Sequence, residues 1–205
     1  TRLGLPSAPA EAEALAVARD IALAEMTGAR LHFRQVTTRA ALDLVRAAKG
    51  RGVAVTAGVT PGHYMLSDLA TAEFRTYARL SPPLRQESDR QAVIAAIGDG
   101  TIDVIGSGHD PRGPEDKRLP FADAEPGMAG AETLLPLTLT LVRDGVIGMG
   151  RAFELLATNP ARLLGVNAGR LEVGAEADIA VVDAARPWIV DSDKMAASAG
   201  NTPFD

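Results

Sequence analysis

Short apolar runs alternate along the chain with longer stretches of helical period, and this alternation predicts an α/β fold. A helix is predicted over residues 10–26, followed by a strand over residues 31–36. A second strand, over residues 53–59, is nearly continuously apolar, as expected for a strand covered on both faces. On the first helix, one face collects the apolar side chains Leu15, Ala18, Ile21, Ala22 and Met26. Strand and helix in alternation build parallel sheets and barrels.

The pattern continues to the end of the chain. Thr38 can cap the next helix, and Ser88 with Gln91 has the spacing of a capping box at the start of another. The other predicted elements are strands at 75–80 and 102–105, a helix at 134–142, two helical pieces within 153–164 separated at Asn159-Pro160, and strands at 179–183 and 188–190. These amount to about four strand–helix units, whereas a closed barrel needs eight. If the architecture is a barrel, the chain is half of one.

A long polar loop follows the strand at 102–105. It carries His109, Asp110 and Arg112, and then a charged run, residues 115–118. In parallel α/β folds the chemistry lies on loops at the carboxyl ends of strands, and a loop this long is usually functional or disordered. We therefore expect the functional site here. The charged run is predicted to be solvated surface, with contact to a partner or an anionic ligand as the alternative.

Composition narrows the class of function. The 205 residues are 46% hydrophobic, enough for a substantial core, and the net charge of −5 offers no basic surface for nucleic acid. The sequence contains no run of about eighteen apolar residues, so no membrane span is predicted. The absence of cysteine excludes disulfides and thiolate nucleophiles, and it suits a cytoplasmic location.

Six sequence blocks occur in order: TPGHYML, LSPPLR, DVIGSGHDP, EPGMAGAETLLPL, NPARLLG and GRLEVGAEADIAVVD. With the NTPF that ends at Phe204, they resemble the dihydroorotases of the amidohydrolase superfamily. The resemblance implies the C-terminal part of a (β/α)8 TIM-type barrel over residues 1–165. It implies a segment with a few strands of a small accessory β-domain over residues 166–205. It also implies chemistry in which one or two zinc ions activate water to open or close the dihydroorotate ring.

The resemblance locates the family's metal ligands, and this chain departs from them. Where the family has HVST this chain has QVTT, so Gln35 replaces a zinc-binding histidine. Where it has TPHH this chain has TPGH, which places Gly62 at the first histidine. Where it has DHAPH this chain has GHDPR, and Gly108 replaces the catalytic and metal-binding aspartate. Glycine offers no side-chain ligand and an amide is a weak one, so we expect neither a catalytic residue nor a bound zinc cofactor. The family's other ligands, an HxH pair and a carboxylated lysine or an aspartate, are expected upstream of Thr1.

The remaining polar residues have weaker functional interpretations. His63 and His109 are weak substitute ligands. For His63, a shift of one residue from Gly62 reverses the side-chain direction on extended backbone. For His109, the resemblance implies a histidine that is not a principal zinc ligand. His109 is more simply explained as a loop anchor. A vestigial substrate pocket is predicted at Ser81, Arg85, Arg112, Pro126 and Gly127. For Arg85, pinning a loop is the alternative.

Three functions stay open from the sequence. The leading hypothesis is a non-catalytic dihydroorotase-like protein of pyrimidine biosynthesis that partners the aspartate carbamoyltransferase catalytic subunit. The second is an active zinc-dependent dihydroorotase with its other ligands upstream of Thr1 and with His63, His109 or Asp110 as substitutes. The third is a regulatory module that grips an anion with Arg85 and Arg112. Because an open half-barrel exposes strand edges, we expect either an upstream segment or a tight homo- or hetero-oligomer.

Overall fold

A computed structural model describes Gly4, Leu5 and residues 7–205 of the chain. Its helices are α1 (Ala10–Thr27), α2 (Arg39–Gly50), α3 (Pro61–Met65), α4 (Glu87–Gly98), α5 (Pro114–Arg118), α6 (Leu134–Arg143), α7 (Met149–Phe153) and α8 (Asn159–Leu164). Its strands are β1 (Leu31–Phe33), β2 (Val55–Val59) and β3 (Val104–Ile105). Within this described part, no helix combines the length and the apolar character that crossing a bilayer requires.

The three strands form one parallel sheet in the order β1-β2-β3. Leu31 is in register with Val55, and Gly58 with Val104. Parallel sheets are covered by helices, which explains the continuous apolar run of β2. Helices α2 and α4 pack against each other on the sheet, and the fully buried side chains between them and the strands are Val36, Leu42, Val45, Val59, Val93, Ile97, Ile102 and Ile105. The predicted α/β class with a parallel sheet is confirmed.

The buried face of α1 differs from the predicted one. Val17, Ile21 and Ala24 are buried, whereas Leu15 is 71% exposed and Met26 82% exposed. The helix is rich in alanine, so several faces have a similar apolar content and periodicity alone does not choose between them. The choice is made by Glu13, which lies partly buried on the side of α1 that faces β1.

Three local predictions fail where tertiary pairing decides. The stretch 75–80 is not a strand but holds a 3₁₀ helix at Thr76–Ala78, because β2 pairs directly with β3 and leaves no place between them. Helix α4 begins at Glu87, so Ser88 lies inside it and the capping box does not form. The helix through Pro160 does not break, since a π-helical turn at Glu154–Thr158 precedes it and widens the backbone spacing there. The predicted Thr38 cap is confirmed, with its hydroxyl accepting from the Ala41 N–H at 3.4 Å.

The tail differs from its prediction in secondary structure. Among the described residues of 166–205 there is no strand, and the regular element is a 3₁₀ turn at Ser192–Lys194. The strands predicted at 179–183 and 188–190 do not form because no neighbouring backbone in the described chain supplies their hydrogen bonds. The assignment of this tail to a small β-domain stays a prediction.

One carboxylate ties α1 to the end of β1. Oε1 of Glu13 accepts from the backbone N–H groups of Thr37 at 2.7 Å and Thr38 at 2.9 Å. Oε2 accepts from the Thr37 hydroxyl at 2.5 Å and from Nη2 of Arg85 at 3.4 Å. The side chains of Glu13 and Arg85 are only 12% and 10% exposed. This buried ion pair fixes the loop that leaves the carboxyl end of β1.

We predict that Glu13→Ala lowers the free energy of unfolding by about 3 kcal/mol, because it leaves the Arg85 guanidinium buried without its counter-ion. Urea denaturation measures the loss. The matched control is Glu11→Ala, an exposed carboxylate in the same helical turn, which we expect to cost about 0.5 kcal/mol or less. Equal losses for the two variants would contradict the assignment of Glu13 as the tie.

Candidate functional site

A cleft of about 460 Å³ opens where the carboxyl ends of the strands meet. Its lining consists of Arg34, Gln35, Thr60, His63, Leu80, Ser81, Gly106, Ser107, Gly108, His109, Asp110, Gly127 and Met128. The structure therefore brings to one cleft Gln35 and Gly108, two of the three positions that the resemblance assigns to metal ligands, together with Ser81 and Gly127. Gly62, the third position, is not part of the lining. This is the end of the sheet where α/β folds carry their chemistry.

Apolar side chains occupy the space beside Gly62. A Cβ at this position would lie 2.6 Å from Cδ1 of Leu80 and 3.6 Å from Sδ of Met128. Both neighbours belong to a small apolar cluster that also contains Ala78 and Leu84. A side chain at position 62 would therefore have to displace Leu80.

Gly108 is constrained by its backbone and by its neighbour. Its φ of +62° lies in the left-handed region that side chains rarely adopt. A Cβ there would lie 3.0 Å from both Cβ and Cγ2 of Thr60. A larger residue at this position would be both strained and crowded.

His63 is buried with both ring nitrogens engaged. Nε2 lies 2.9 Å from the carbonyl oxygen of Pro82, which can only accept, so Nε2 carries the proton. Nδ1 lies 2.8 Å from the Thr60 hydroxyl and accepts from it. Burial lowers the pKa of His63. The ring is a neutral internal brace, and neither nitrogen is available to a ligand in this arrangement.

His109 anchors the long loop. Its Nδ1 accepts from the backbone N–H groups of Gly130 and Ala131, both at 3.2 Å. Its backbone forms an isolated parallel bridge with Met128. These contacts match the predicted loop-anchoring role.

Arg112 and Asn201 join the loop to the tail. Nε of Arg112 donates to the carbonyl of Pro126 at 2.9 Å, and its Nη2 donates to Asp110 at 2.8 Å. The amide of Asn201, which is 3% exposed, accepts from the Arg112 N–H at 2.9 Å and donates to the Gly127 carbonyl at 3.1 Å. Arg112 and Pro126 thus lie outside the lining and hold the wall of the cleft.

Arg85 also lies outside the cleft. Besides its contact with Glu13, its Nε donates to the Thr37 hydroxyl at 3.1 Å and its Nη1 to the Ala8 carbonyl at 2.8 Å. All three nitrogens are therefore engaged. These contacts agree with the alternative interpretation of Arg85, in which it pins a loop, and not with a place in a substrate pocket.

Lys117 is the residue that sequence reasoning missed. It is 3% exposed, and its Nζ donates to the carbonyls of Thr76 at 3.1 Å and Glu125 at 2.6 Å. Burial, followed by the charges of Arg112 and Arg79, lowers the pKa of Lys117 to about 8. The prediction of solvated surface is wrong for Lys117 and correct for its neighbour Arg118, whose side chain is 74% exposed. The sequence of the charged run does not distinguish Lys117 from Arg118. Their burial differs because the folded loop places two backbone carbonyls within reach of Lys117.

The positions that correspond to family ligands supply few donors. Gln35 offers one amide, and Gly62 and Gly108 offer no side-chain atom. No group of three or more His, Asp or Glu side chains in the described part of the chain is placed to hold a metal ion. Zinc sites in proteins use imidazole, thiolate or carboxylate ligands.

Comparison with known proteins places these features in context. The amidohydrolase family pattern matches residues 4–203. Proteins named dihydroorotase from Syntrophus aciditrophicus and Geobacter metallireducens are each 43% identical over 204 residues, which is 100% of this chain and 48% of theirs. The chain thus spans about half the length of the curated relatives it matches.

Solved structures give the same family of folds. An L-hydantoinase (dihydropyrimidinase) from Arthrobacter aurescens superimposes with a TM-score of 0.90 at 28% identity, covering 96% of this chain and 45% of its own. A D-hydantoinase (dihydropyrimidinase) from Thermus sp. gives a TM-score of 0.77 at 28% identity, covering 82% and 39%. These likenesses confirm the predicted partial (β/α)8 barrel.

We predict that Asn201→Ala loosens the long loop, because it leaves a buried N–H of Arg112 and a buried carbonyl of Gly127 without partners. Each such group costs about 1–3 kcal/mol. Hydrogen exchange at the Arg112 amide should accelerate by at least about tenfold. Asn167→Ala, which removes an exposed amide bonded to Arg170, is the control and should leave that exchange rate unchanged.

We predict that His63 makes stability fall on acidification. Its folded pKa lies below the ordinary value of 6.5, so below that pH the unfolded chain binds a proton that the folded chain excludes. The stabilisation is complete above pH 6.5 and is lost as the pH falls towards the folded pKa. Burial also lowers the pKa of His32, so the measurement compares wild type with His63→Gln. The variant should show a shallower decline of unfolding free energy between about pH 7 and 5, and an unchanged slope would refute this role.

Proposed function

Because the chain belongs to the amidohydrolase family, we propose that it is part of a dihydroorotase-like protein of de novo pyrimidine biosynthesis that has lost catalysis. In this proposal it acts in the cytoplasm as a structural partner of the aspartate carbamoyltransferase catalytic subunit. The relatives named dihydroorotase support the pathway. The geometry of the cleft supports the loss of catalysis.

The observation that carries the proposal is the packing beside Gly62. A side chain at position 62 would require the terminal methyl group of Leu80 to move, and at Gly108 a Cβ would lie 3.0 Å from Thr60 on a backbone of positive φ.

Of the three family positions, Gln35 alone keeps a side-chain donor. Elsewhere in the cleft both ring nitrogens of His63 are engaged, Nδ1 of His109 accepts from backbone N–H groups and Asp110 is paired with Arg112, so the residues present do not fit a zinc ion. We therefore derive no hydrolytic step for this chain.

The retained frame supports a structural role. Three cations hold carbonyls of the long loop: Arg79 holds that of Phe121, Lys117 that of Glu125 and Arg112 that of Pro126. These hydrogen bonds hold the wall of the cleft, and none of them involves a metal ligand. A fold can persist while its site is replaced, since function lies in the site and not in the frame. The regulatory hypothesis is weaker, because Arg85 and Arg112 are both engaged within the protein.

An active zinc-dependent dihydroorotase is the second candidate. It is favoured by the 43% identity to proteins of that name. It requires metal ligands upstream of Thr1, with His109 or Asp110 as the substitutes within this chain, because His63 has no nitrogen available in the observed arrangement.

We predict that the intact protein, purified without chelators, contains far less than one zinc per chain and does not hydrolyse dihydroorotate. Metal analysis by mass spectrometry and an ultraviolet assay of dihydroorotate measure the two properties. An active dihydroorotase with the full ligand set, prepared in parallel, is the control. Stoichiometric zinc together with turnover would establish the second candidate in place of the first.

The partner is tested separately. We expect the intact protein to co-elute with the aspartate carbamoyltransferase catalytic subunit of the same organism in size-exclusion chromatography with light scattering. Inactivity without complex formation would leave loss of catalysis standing and reject the partnership.

A further inference from the structure

A second cleft, also of about 460 Å³, lies at the opposite end of the sheet from the first. Its lining comes from residues before or at the amino ends of the strands and from the segment that packs beneath them: Arg30, Thr56, Gly100, Asp103, Val104, Arg151, Glu154, Thr158, Asn159, Arg162 and Leu163. We call it the amino-end cleft. It shares no lining residue with the cleft that holds Gln35 and Gly108.

The acidic side chains of the amino-end cleft are already neutralised. Oδ2 of Asp103 accepts from Nζ of Lys49 at 2.7 Å and from the Ala57 N–H at 2.8 Å. Glu154 accepts from Nη1 of Arg151 at 3.1 Å, and Nη2 of Arg151 donates to the Ile102 carbonyl at 2.9 Å. Each of these carboxylates thus has a cationic partner of its own.

Two arginines remain without a carboxylate partner. Arg162 donates to the side-chain oxygen of Asn159 at 3.3 Å, a neutral and long contact. Arg30, which like Arg162 is an exposed residue, makes no side-chain hydrogen bond or ion pair with the residues that the structure describes. The chain as a whole has a net charge of −5, so two uncompensated guanidinium groups lining one cleft form a local positive potential.

The backbone beside these arginines is unusual. The π-helical turn Glu154–Thr158 contributes Glu154 and Thr158 to the lining. Its geometry is held by the Thr158 hydroxyl, which donates to the Gly169 carbonyl at 2.7 Å. Turns of this kind occur frequently at functional sites.

We propose that the amino-end cleft binds a small anionic metabolite through an oxyanion group, phosphate or carboxylate, held between Arg30 and Arg162. A guanidinium group presents its N–H donors as a fork that matches two oxygens of such a group. The cleft volume exceeds that of the oxyanion alone, so the rest of the metabolite lies against Val104 and Leu163. This site is independent of whether the other cleft is catalytic.

The test is isothermal titration of the intact protein with inorganic phosphate and, separately, with malonate at low ionic strength. We expect saturable binding of at least one probe, weakened about tenfold by Arg30→Gln and again by Arg162→Gln. Arg→Lys variants keep the charge and lose the fork, so they should bind with intermediate affinity. Tighter binding of phosphate would assign the oxyanion group as a phosphate, and tighter binding of malonate would assign it as a carboxylate.

Arg118→Gln is the matched control, because it removes an arginine that is 74% exposed and outside the cleft lining. It should leave the affinity unchanged. Thermal unfolding of each variant checks that the fold is retained. The proposal would be overturned if neither probe showed saturable binding. It would also be overturned if the wild type and the Arg30→Gln/Arg162→Gln double variant bound the probes equally.

Discussion

The buried carboxylate of Glu13 is the contact on which the arrangement of the strand ends depends. It holds the backbone after β1 through Thr37 and Thr38, and through Arg85 it holds the loop that follows the cis Ser81-Pro82 bond. A buried ion pair is stable only when its remaining donors and acceptors are satisfied, and here they are. The wall that bears Gln35 and Ser81 is consequently positioned by α1, whatever chemistry the wall carries.

A second, apolar constraint acts at the same end of the sheet. Leu80 and Met128 pack beside Gly62, and burial of a side chain of this size contributes about 1.5–3 kcal/mol. A residue with a side chain at position 62 would require the terminal methyl group of Leu80 to move. This apolar packing stabilises the region through contacts that involve no metal ligand.

The sequence carries the information that local pattern and motif can encode, and no more. The parallel strands follow from periodicity and the Thr38 cap from capping chemistry, and the meeting of Gln35 with Gly108 is what the family resemblance implies. The buried face of α1, the burial of Lys117 and the helical turn at Thr76–Ala78 do not. Each of these depends on a contact outside the element itself: the Thr37 and Thr38 N–H groups that Glu13 of α1 accepts from, the carbonyls that Lys117 bonds, and the direct pairing of β2 with β3. Hydrophobic periodicity and local motifs limit which secondary structures a segment can adopt, and tertiary contacts select one of them.

The two ends of the sheet differ in how their charges are balanced, and this difference argues for where a ligand would bind now. At the carboxyl end, Asp110 is paired with Arg112 and His63 is neutral and internally bonded, whereas Arg34 lines the cleft without a side-chain partner among the described residues. At the amino end, Arg30 and Arg162 face a cleft without a counter-ion among the described residues. Unbalanced charge in a concave site is stabilised by an oppositely charged ligand. Within the described chain, the amino-end cleft holds two guanidinium groups without a carboxylate partner, and the carboxyl-end cleft holds one, Arg34.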